Sequence, residues 1–405
     1  MIDGLGSIED CDRDSTSSSD HTKIAQNQLN VGLVHDWCPA FRGGERVLSE
    51  ISKLFPGAPI HTIFNFLSPD IRIEHFPFAR FETSIANGLP GVRHYYKSLF
   101  FVCPFLVEQF DLTSFDLVIS SSAAFARGVI TRPDQPHLCY VHSPVRYAWD
   151  EQFSYLQQGK MGYGPKGMLF RYMLHKLRTW DSRTGNNPDL MAANSTYVRK
   201  RIRRIYGRDA IVIHPPVNIS EFPRVAQKDD YYVTASFLAP YKRTDLIISA
   251  FNSMPDRRLV VVGDGQELKK LKPFAKPNIT FTGFLNRQDY IKTVSEARAF
   301  VFAGCEDFGI ALAEAQAAGT PVIAFGRGGA SDIVRPLGTT GRPTGVLFHE
   351  QNLIALQKAI GFFEDHSNSI TPAACHENTH RFSPERFRSD IIAAVDQVLD
   401  MHHHT

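Results

Sequence analysis

Short apolar runs, rich in β-branched and aromatic residues, alternate with amphipathic stretches along most of this chain. LNVGLVHDW (29–37) reads as a first buried strand, and GGERVLSEISKLF (43–55) as the helix that follows it. PIHTIFNF (59–66), FDLVISSS (115–122), HLCYVHS (137–143), DLMAANS (189–195) and AIVIHPPV (210–217) continue the series. Strands that are apolar on both faces and separated by helices predict a parallel sheet covered on both sides. NISEFPRVAQKDD (218–230) has no periodicity and reads as a linker. Beyond it the alternation restarts with YYVTASF (231–237), RLVVVGDG (258–265), NITFTGFL (278–285), AFVFAG (299–304) and PVIAFG (321–326). The spacing of Ile391, Ile392, Val395 and Val398 predicts a long amphipathic helix over 384–401. The expected organisation is a polar tail over 1–28, a doubly wound α/β domain over 29–222, a second over 223–383, and a helix with tail over 384–405. Two such sheets in tandem place a cleft between their strand C-termini, where ligands of doubly wound folds bind.

Composition narrows the class. A chain of 405 residues exceeds what one ordinary core organises, and 43% hydrophobic with 21% charged residues is a globular balance. The formal charge of +2 provides no global attraction for nucleic acid, so no nucleic-acid partner is expected. Six scattered cysteines form no CxxC pair, which supplies neither a zinc site nor a disulfide framework and points to a reducing, cytoplasmic setting. No apolar run approaches the roughly 20 residues of a membrane-spanning helix. The opening MIDGLGSIEDCDRDSTSSSDHTK lacks an apolar signal core and reads as a disordered tail. Its Asp12-Arg13-Asp14 triplet has the form of a metal-holding DxD, but no strand precedes it, and a solvated tail is the preferred reading. There is no P-loop, no HExxH and no GxSxG. GDGQEL (263–268) lacks the third glycine of a dinucleotide fingerprint, which disfavours a nicotinamide-dependent dehydrogenase.

The candidate chemistry concentrates in GCEDFGIALAEAQAAGTPVIA (304–324), where Glu306 and Glu314 flank a predicted helix start near Phe308 or Gly309. The first amides of a helix lack intrahelical acceptors and carry the positive end of its dipole, so they suit a phosphate. Gly309 would let a pyrophosphate approach the backbone. A separation of eight residues is about two turns plus 80°, so the two carboxylates do not share a face. They can cooperate only by gripping opposite ends of one elongated ligand. Glu306 could equally do no more than complement the helix dipole. Glu314 lies among small residues of a helix that looks buried, and a buried carboxylate needs a partner or a use.

These residues resemble the Glu-x7-Glu signature of retaining family 4 glycosyltransferases with the GT-B fold. VHDWCPAFRGGERVL, CYVHSPVRYAWD, MAANSTYVRKRIRRIYG, VIHPPV and FLAPYKRTDLII are similar to that family's blocks in the same order, over roughly residues 29 to 400. Bacterial O-antigen and exopolysaccharide mannosyltransferases are the most similar subgroup. The resemblance implies two Rossmann-like domains facing a central cleft, with a C-terminal helix packed back toward the first. It implies a metal-independent transfer of a hexose, with mannose from GDP-mannose as the expected donor sugar. The acceptor would be a glycan or a polyprenyl-diphosphate-linked oligosaccharide, and no cofactor is implied beyond the nucleotide sugar. UDP-sugar transfer, an epimerase on the same architecture, and a binding protein without turnover are the alternatives.

Carried over residue by residue, the resemblance gives Glu306 the transferred sugar and Glu314 the ribose. The amides of Phe308, Gly309 and Ile310 would take the pyrophosphate, approached from the other domain by Gly43 and Gly44. His142 would touch the donor sugar, while Gly263 and Leu285 lie in segments that hold the base, with Asp289 a candidate for guanine. Arg146 and Trp149 are candidates for the acceptor side. Lys242 matches the family's diphosphate-neutralising lysine, but Phe237 stands where an arginine is expected, leaving Arg243, Arg327 or Arg42 to supply the second charge. Finally, VRHYYKSLFFVCPFL (92–106) and GMLFRYMLHKLRTWDSR (167–183) are basic and aromatic. In the second, Leu169, Tyr172, Met173, Lys176 and Trp180 recur at helical spacing, a composition that suits either an interfacial helix on anionic lipid or a packing face with solvated arginines.

Overall fold

The computed structural model describes residues 29–403 apart from 160, 224, 226 and 340. The DxD triplet lies outside these residues. The first domain is a seven-stranded sheet in the order β3-β2-β1-β4-β5-β6-β7. Its strands are β1 (Val31–Cys38), β2 (Ile60–Asn65), β3 (Phe81–Thr83), β4 (Leu117–Ser122), β5 (His137–Val141), β6 (Leu190–Ala193) and β7 (Ile211–Val212). The second is a six-stranded sheet in the order β10-β9-β8-β11-β12-β13. It comprises β8 (Tyr232–Ala235), β9 (Leu259–Val262), β10 (Ile279–Gly283), β11 (Ala299–Phe302), β12 (Val322–Phe325) and β13 (Gly345–Phe348). Every strand pairing is parallel. Both sheets are therefore wound outward from a central strand, β1 in one and β8 in the other, and their loops at the strand C-termini face each other.

The apolar runs account for the strands. β4 and β5 are buried at every position, as a central parallel strand must be. Two strands are not among those expected from the sequence. β3 is the partly exposed tripeptide Phe-Glu-Thr at a sheet edge, and β13 is a four-residue piece flanked by turn residues. Both are set by pairing with a neighbour. The predicted last strand of the first domain shrinks to Ile211–Val212.

The stretch after β7 is less free than a linker. Val217, Ile219 and Phe222 are buried in the core of the second domain, so anchoring there begins before the polar residues end. The chain crosses back beside this point, where the Val217 amide donates to the Phe382 carbonyl at 2.8 Å. The Pro384–His403 helix then buries Phe387, Ile391, Ala394, Val395 and Val398 in the core of the first domain. Among the described residues no helix is long and apolar enough to cross a membrane.

Candidate active site

Two helix N-termini meet across the cleft between the sheets. Gly43–Leu54 starts just after β1, and Ile310–Ala317 starts after β11. Gly43 and Gly44 from one, and Phe308, Gly309 and Ile310 from the other, line a single cavity of about 500 Å³. A Cβ added at Gly43 would come within 2.8 Å of Ile310 Cδ1, so the two helix ends are in near contact across the domain boundary. Gly309 precedes its helix with φ +97, a left-handed conformation that L side chains rarely adopt. The glycine is thus fixed by the turn itself, one position before the helix begins at Ile310. The amides at both helix starts have no carbonyl of their own helix to bond.

Glu306 stands at the strand-to-helix turn, bridged to Gly328, and its carboxylate forms an ion pair with Lys242. Lys242 comes from a short 3-10 turn, Pro240–Lys242, after β8. Burial and the neighbouring Arg146 push its ammonium down to about 7, while the Asp307 carboxylate favours the charged form. His142 follows β5 and lines the same cavity. Its Nε2 is 2.8 Å from Ser121 Oγ, and burial together with His35 pushes the imidazole down to about 3. It is a neutral, hydrogen-bonding ring at any physiological pH.

The rest of the wall is held by groups to which the sequence assigned no role. Asp36, buried at the end of β1, accepts the amides of Ala123, Ala124, Phe125 and Ala126 at 2.5–2.8 Å, which fixes the loop after β4. Ala123 of that loop borders the cavity.

Other candidates lie elsewhere. Glu314 is outside the cavity lining: its Oε1 accepts from Arg46 at 2.9 Å and Arg287 at 2.8 Å, and its Oε2 from the Tyr290 hydroxyl at 2.8 Å. Arg46 belongs to the first domain, so this carboxylate bridges the two. Trp149 turns inward, donating its indole N–H to buried Asp181 at 2.6 Å, and does not reach the cleft. Arg243 faces Asp245 and Gln351, and neither Arg42 nor Arg327 lines the cavity. Phe237 is 55% exposed and also outside the lining. The basic side chains that do line the cavity are Lys242 and Arg146, and Arg146 is already paired with Asp307 and Glu151.

Gly263 and Leu285 sit at the ends of β9 and β10, also outside the lining. Gly263 has its own structural reason, since a Cβ there would fall 2.0 Å from the Ser236 carbonyl oxygen. Asp289 caps nothing in the cleft; its carboxylate accepts from Asn286 on its own helix turn. Among the described residues no group of three or more His, Cys, Asp or Glu side chains could hold a metal.

With this geometry in hand, comparison with known proteins is decisive for the family. A family model described as Glycosyltransferase Family 4 matches residues 41–221, and one described as Glycosyl transferases group 1 matches residues 218–382. The chain belongs to the family 4 glycosyltransferases. A GDP-mannose-dependent alpha-(1-6)-phosphatidylinositol monomannoside mannosyltransferase of Mycolicibacterium smegmatis is 30% identical to this family 4 chain over 195 residues, 40% of this chain and 50% of that protein. A GDP-mannose-dependent monoacylated alpha-(1-6)-phosphatidylinositol monomannoside mannosyltransferase of Corynebacterium glutamicum is 29% identical over 183 residues, 38% of this chain and 48% of that protein. The matches thus span about half the length of these curated relatives. Among solved structures, sucrose-phosphate synthase from Thermosynechococcus elongatus superposes with TM-score 0.68 at 18% identity, covering 91% of this chain and 100% of that one. Anabaena HepE, in complex with UDP and glucose, gives 0.65 at 17%, again covering 91% and 100%. At this identity the likeness shows the fold, which is GT-B.

Proposed function

We propose that this protein is a retaining, metal-independent glycosyltransferase that moves mannose from GDP-mannose to a glycan or lipid-linked acceptor. The observation that carries the reading is the pair of opposed helix N-termini, at Gly43 and Ile310, with Lys242 beside them in one cavity. Two sets of unbonded amides and one ammonium suit a diphosphate without requiring a cation such as magnesium. The cavity also has the size of a small-ligand site. The donor's identity is supported by the GDP-mannose dependence of the relatives.

In this reading the Lys242–Glu306 pair is a placeholder. Donor binding inserts between them, giving Lys242 a phosphate oxygen and Glu306 the hydroxyls of the sugar. His142, neutral, contributes a hydrogen bond to the sugar rather than a proton to the reaction. The bond from C1 of the sugar to the diphosphate breaks, and the acceptor oxygen forms its bond to C1 on the same face. The acceptor's proton passes to the departing phosphate, whose charge the helix amides and Lys242 stabilise. No second carboxylate is required as a base, in contrast to glycosidases.

The acceptor side of the reading rests on a surface of the first domain. Phe100 and Phe170 meet edge to face at 5.6 Å, joining the two basic-aromatic segments into one region. Phe101, Phe105, Met168, Leu169 and Tyr172 are exposed there, beside exposed Lys97, Lys166 and Lys176. Trp180 is not part of it, because its indole donates to Glu108 and its ring packs on Gly128. Apolar side chains within a basic rim suit the cytoplasmic face of an anionic membrane carrying a lipid-linked acceptor.

The test is a thermal-shift panel of GDP-, UDP- and ADP-sugars, followed by GDP release from GDP-mannose. GDP-mannose is expected to raise Tm most. A flat response to every nucleotide sugar overturns the site, and binding without any release or transfer leaves the binding-only alternative standing.

A further inference from the structure

Asp307, between Glu306 and Phe308, turns its side chain toward the first domain. Its carboxylate accepts from Arg146 Nε at 2.9 Å and pairs with Arg146 Nη2 at 2.8 Å, a two-point contact. Arg201 Nη1 adds a third contact at 3.0 Å. The Asp307 carbonyl accepts a hydrogen bond from Ser195 Oγ, so backbone and side chain are both held. The three partners come from two places in the first domain. Arg146 follows β5, Ser195 caps the Thr196–Tyr206 helix, and Arg201 lies inside that helix. Arg201 is itself fixed, by Ser143 Oγ at 2.8 Å and Asp150 Oδ1 at 2.6 Å. Charge-assisted, bidentate contacts of this kind set geometry as well as affinity.

We propose that Asp307 is a positioning residue that converts closure of the two domains into the working placement of Glu306 and the Phe308–Ile310 amides. The neighbouring residue on one side carries the carboxylate that faces Lys242, and on the other begins the turn into the helix. Held by the first domain at one point, this turn cannot shift without breaking the grip of two arginines. Closure thereby sets the geometry of the reacting groups as well as covering them. The same contacts explain why Arg146, although in the cleft, is not a free cation for the donor. This inference rests on the role proposed above for Glu306.

A second tie between the domains provides the control. Asp332 accepts from the Thr196 amide at 2.7 Å and lies 3.1 Å from His214 Nε2, without lining the cleft. Three full-length proteins are compared: wild type, Asp307→Asn and Asp332→Asn. Hydrogen exchange is measured over the peptide spanning 304–314 in the free proteins, and kcat and KM are measured for GDP release from GDP-mannose. Asp307→Asn is expected to speed exchange in this peptide and to lower kcat by ~10- to 100-fold with KM changed less than ~3-fold. Asp332→Asn is expected to do neither. The proposal is overturned if Asp307→Asn exchanges like wild type. It is equally overturned if Asp332→Asn reproduces both effects, which would make both residues simple clasps, or if the loss falls on KM alone. Should the wild type bind no nucleotide sugar, the functional reading fails, while the exchange comparison still decides the positioning role.

Discussion

At the scale of single residues, the cleft combines groups whose charge is matched with groups whose charge is suppressed. Lys242 and Glu306 satisfy each other in the free protein, so removing either leaves a half-buried partner without its counter-charge. Lys242→Ala and Glu306→Gln are each expected to lower kcat for GDP release by ~10²–10³-fold, measured at saturating GDP-mannose. Two histidines held neutral, one buried and one in the cavity wall, make a different prediction. His137 is pushed down to about 4 and His142 to about 3 by burial, from an ordinary 6.5. The unfolded chain therefore binds protons that the native state refuses. Stability contributed by these neutral rings is complete above about pH 6.5 and is lost as pH falls toward 4. The slope is about 1.4 kcal/mol per pH unit for each such ring, readable from urea midpoints across that range. A midpoint that stays constant between pH 6.5 and 4.5 contradicts it.

At the scale of elements, the short Ile310–Ala317 helix is the structural centre of the site, and its entry turn depends on one backbone angle. Gly309 at φ +97 has no L-residue equivalent without strain. Gly309→Ala is expected to cost about 1–2 kcal/mol in thermal or urea unfolding, and to weaken nucleotide-sugar binding because the amides turn with it. Its second half is held by charge: Glu314, only 5% exposed, carries Arg46 and Arg287. The carboxylate expected to meet the ribose is thus already occupied, and a donor bound there would have to compete with Arg46, Arg287 and Tyr290 for it. The C-terminal helix makes the corresponding case for the first domain, where Phe387 is almost fully buried and meets Tyr140 at 5.7 Å. Phe387→Ala is expected to destabilise the protein by about 3–5 kcal/mol, seen as a lower Tm. The lesion lies in the first sheet's core although the residue is near the chain's end.

For the whole molecule, the site exists only where the two sheets face each other. Asp307, Glu314 and Asp332 of the second domain all reach arginine, serine, threonine or histidine side chains of the first. The structure is thus a closed arrangement stitched by polar contacts rather than by a shared apolar core, as a cleft that must reopen requires. The proposed absence of a metal requirement belongs at this scale, because in that reading the phosphate charge would be met by both domains at once. GDP release is expected to persist unchanged in EDTA, and a chelator-sensitive rate that magnesium restores would refute the metal-free mechanism. The proposed membrane contact is also a property of the assembled surface. Lys176→Gln is expected to weaken sedimentation with phosphatidylglycerol vesicles roughly fivefold, from about 1 kcal/mol per basic side chain. Vesicles of phosphatidylcholine alone should show little binding by either protein.

Much of this protein is legible in its sequence because the signals are local. Apolar runs such as LVIS in β4 fix where buried parallel strands form, and their alternation with helices fixes the fold class. The spacing of Glu306 and Glu314 showed that they could not share a helix face, and Gly43, Gly44, His142, Lys242 and Phe308–Ile310 do converge on one cavity. Strands β3 and β13 were not read from the sequence: β3 is a partly exposed edge tripeptide with a charged centre, and β13 is an apolar piece isolated among turn residues. Nor could the sequence place Trp149 inside or pair Asp307 with Arg146 and Arg201, residues 161 and 106 positions away. Charges in a string such as RKRIRRIYG look alike until a fold buries one of them. Local patterning determined the elements and the chemistry available. Only the tertiary structure decided which charges face the cleft and which are spent holding the two domains together, because that depends on desolvation and on distances across a boundary that no stretch of sequence contains.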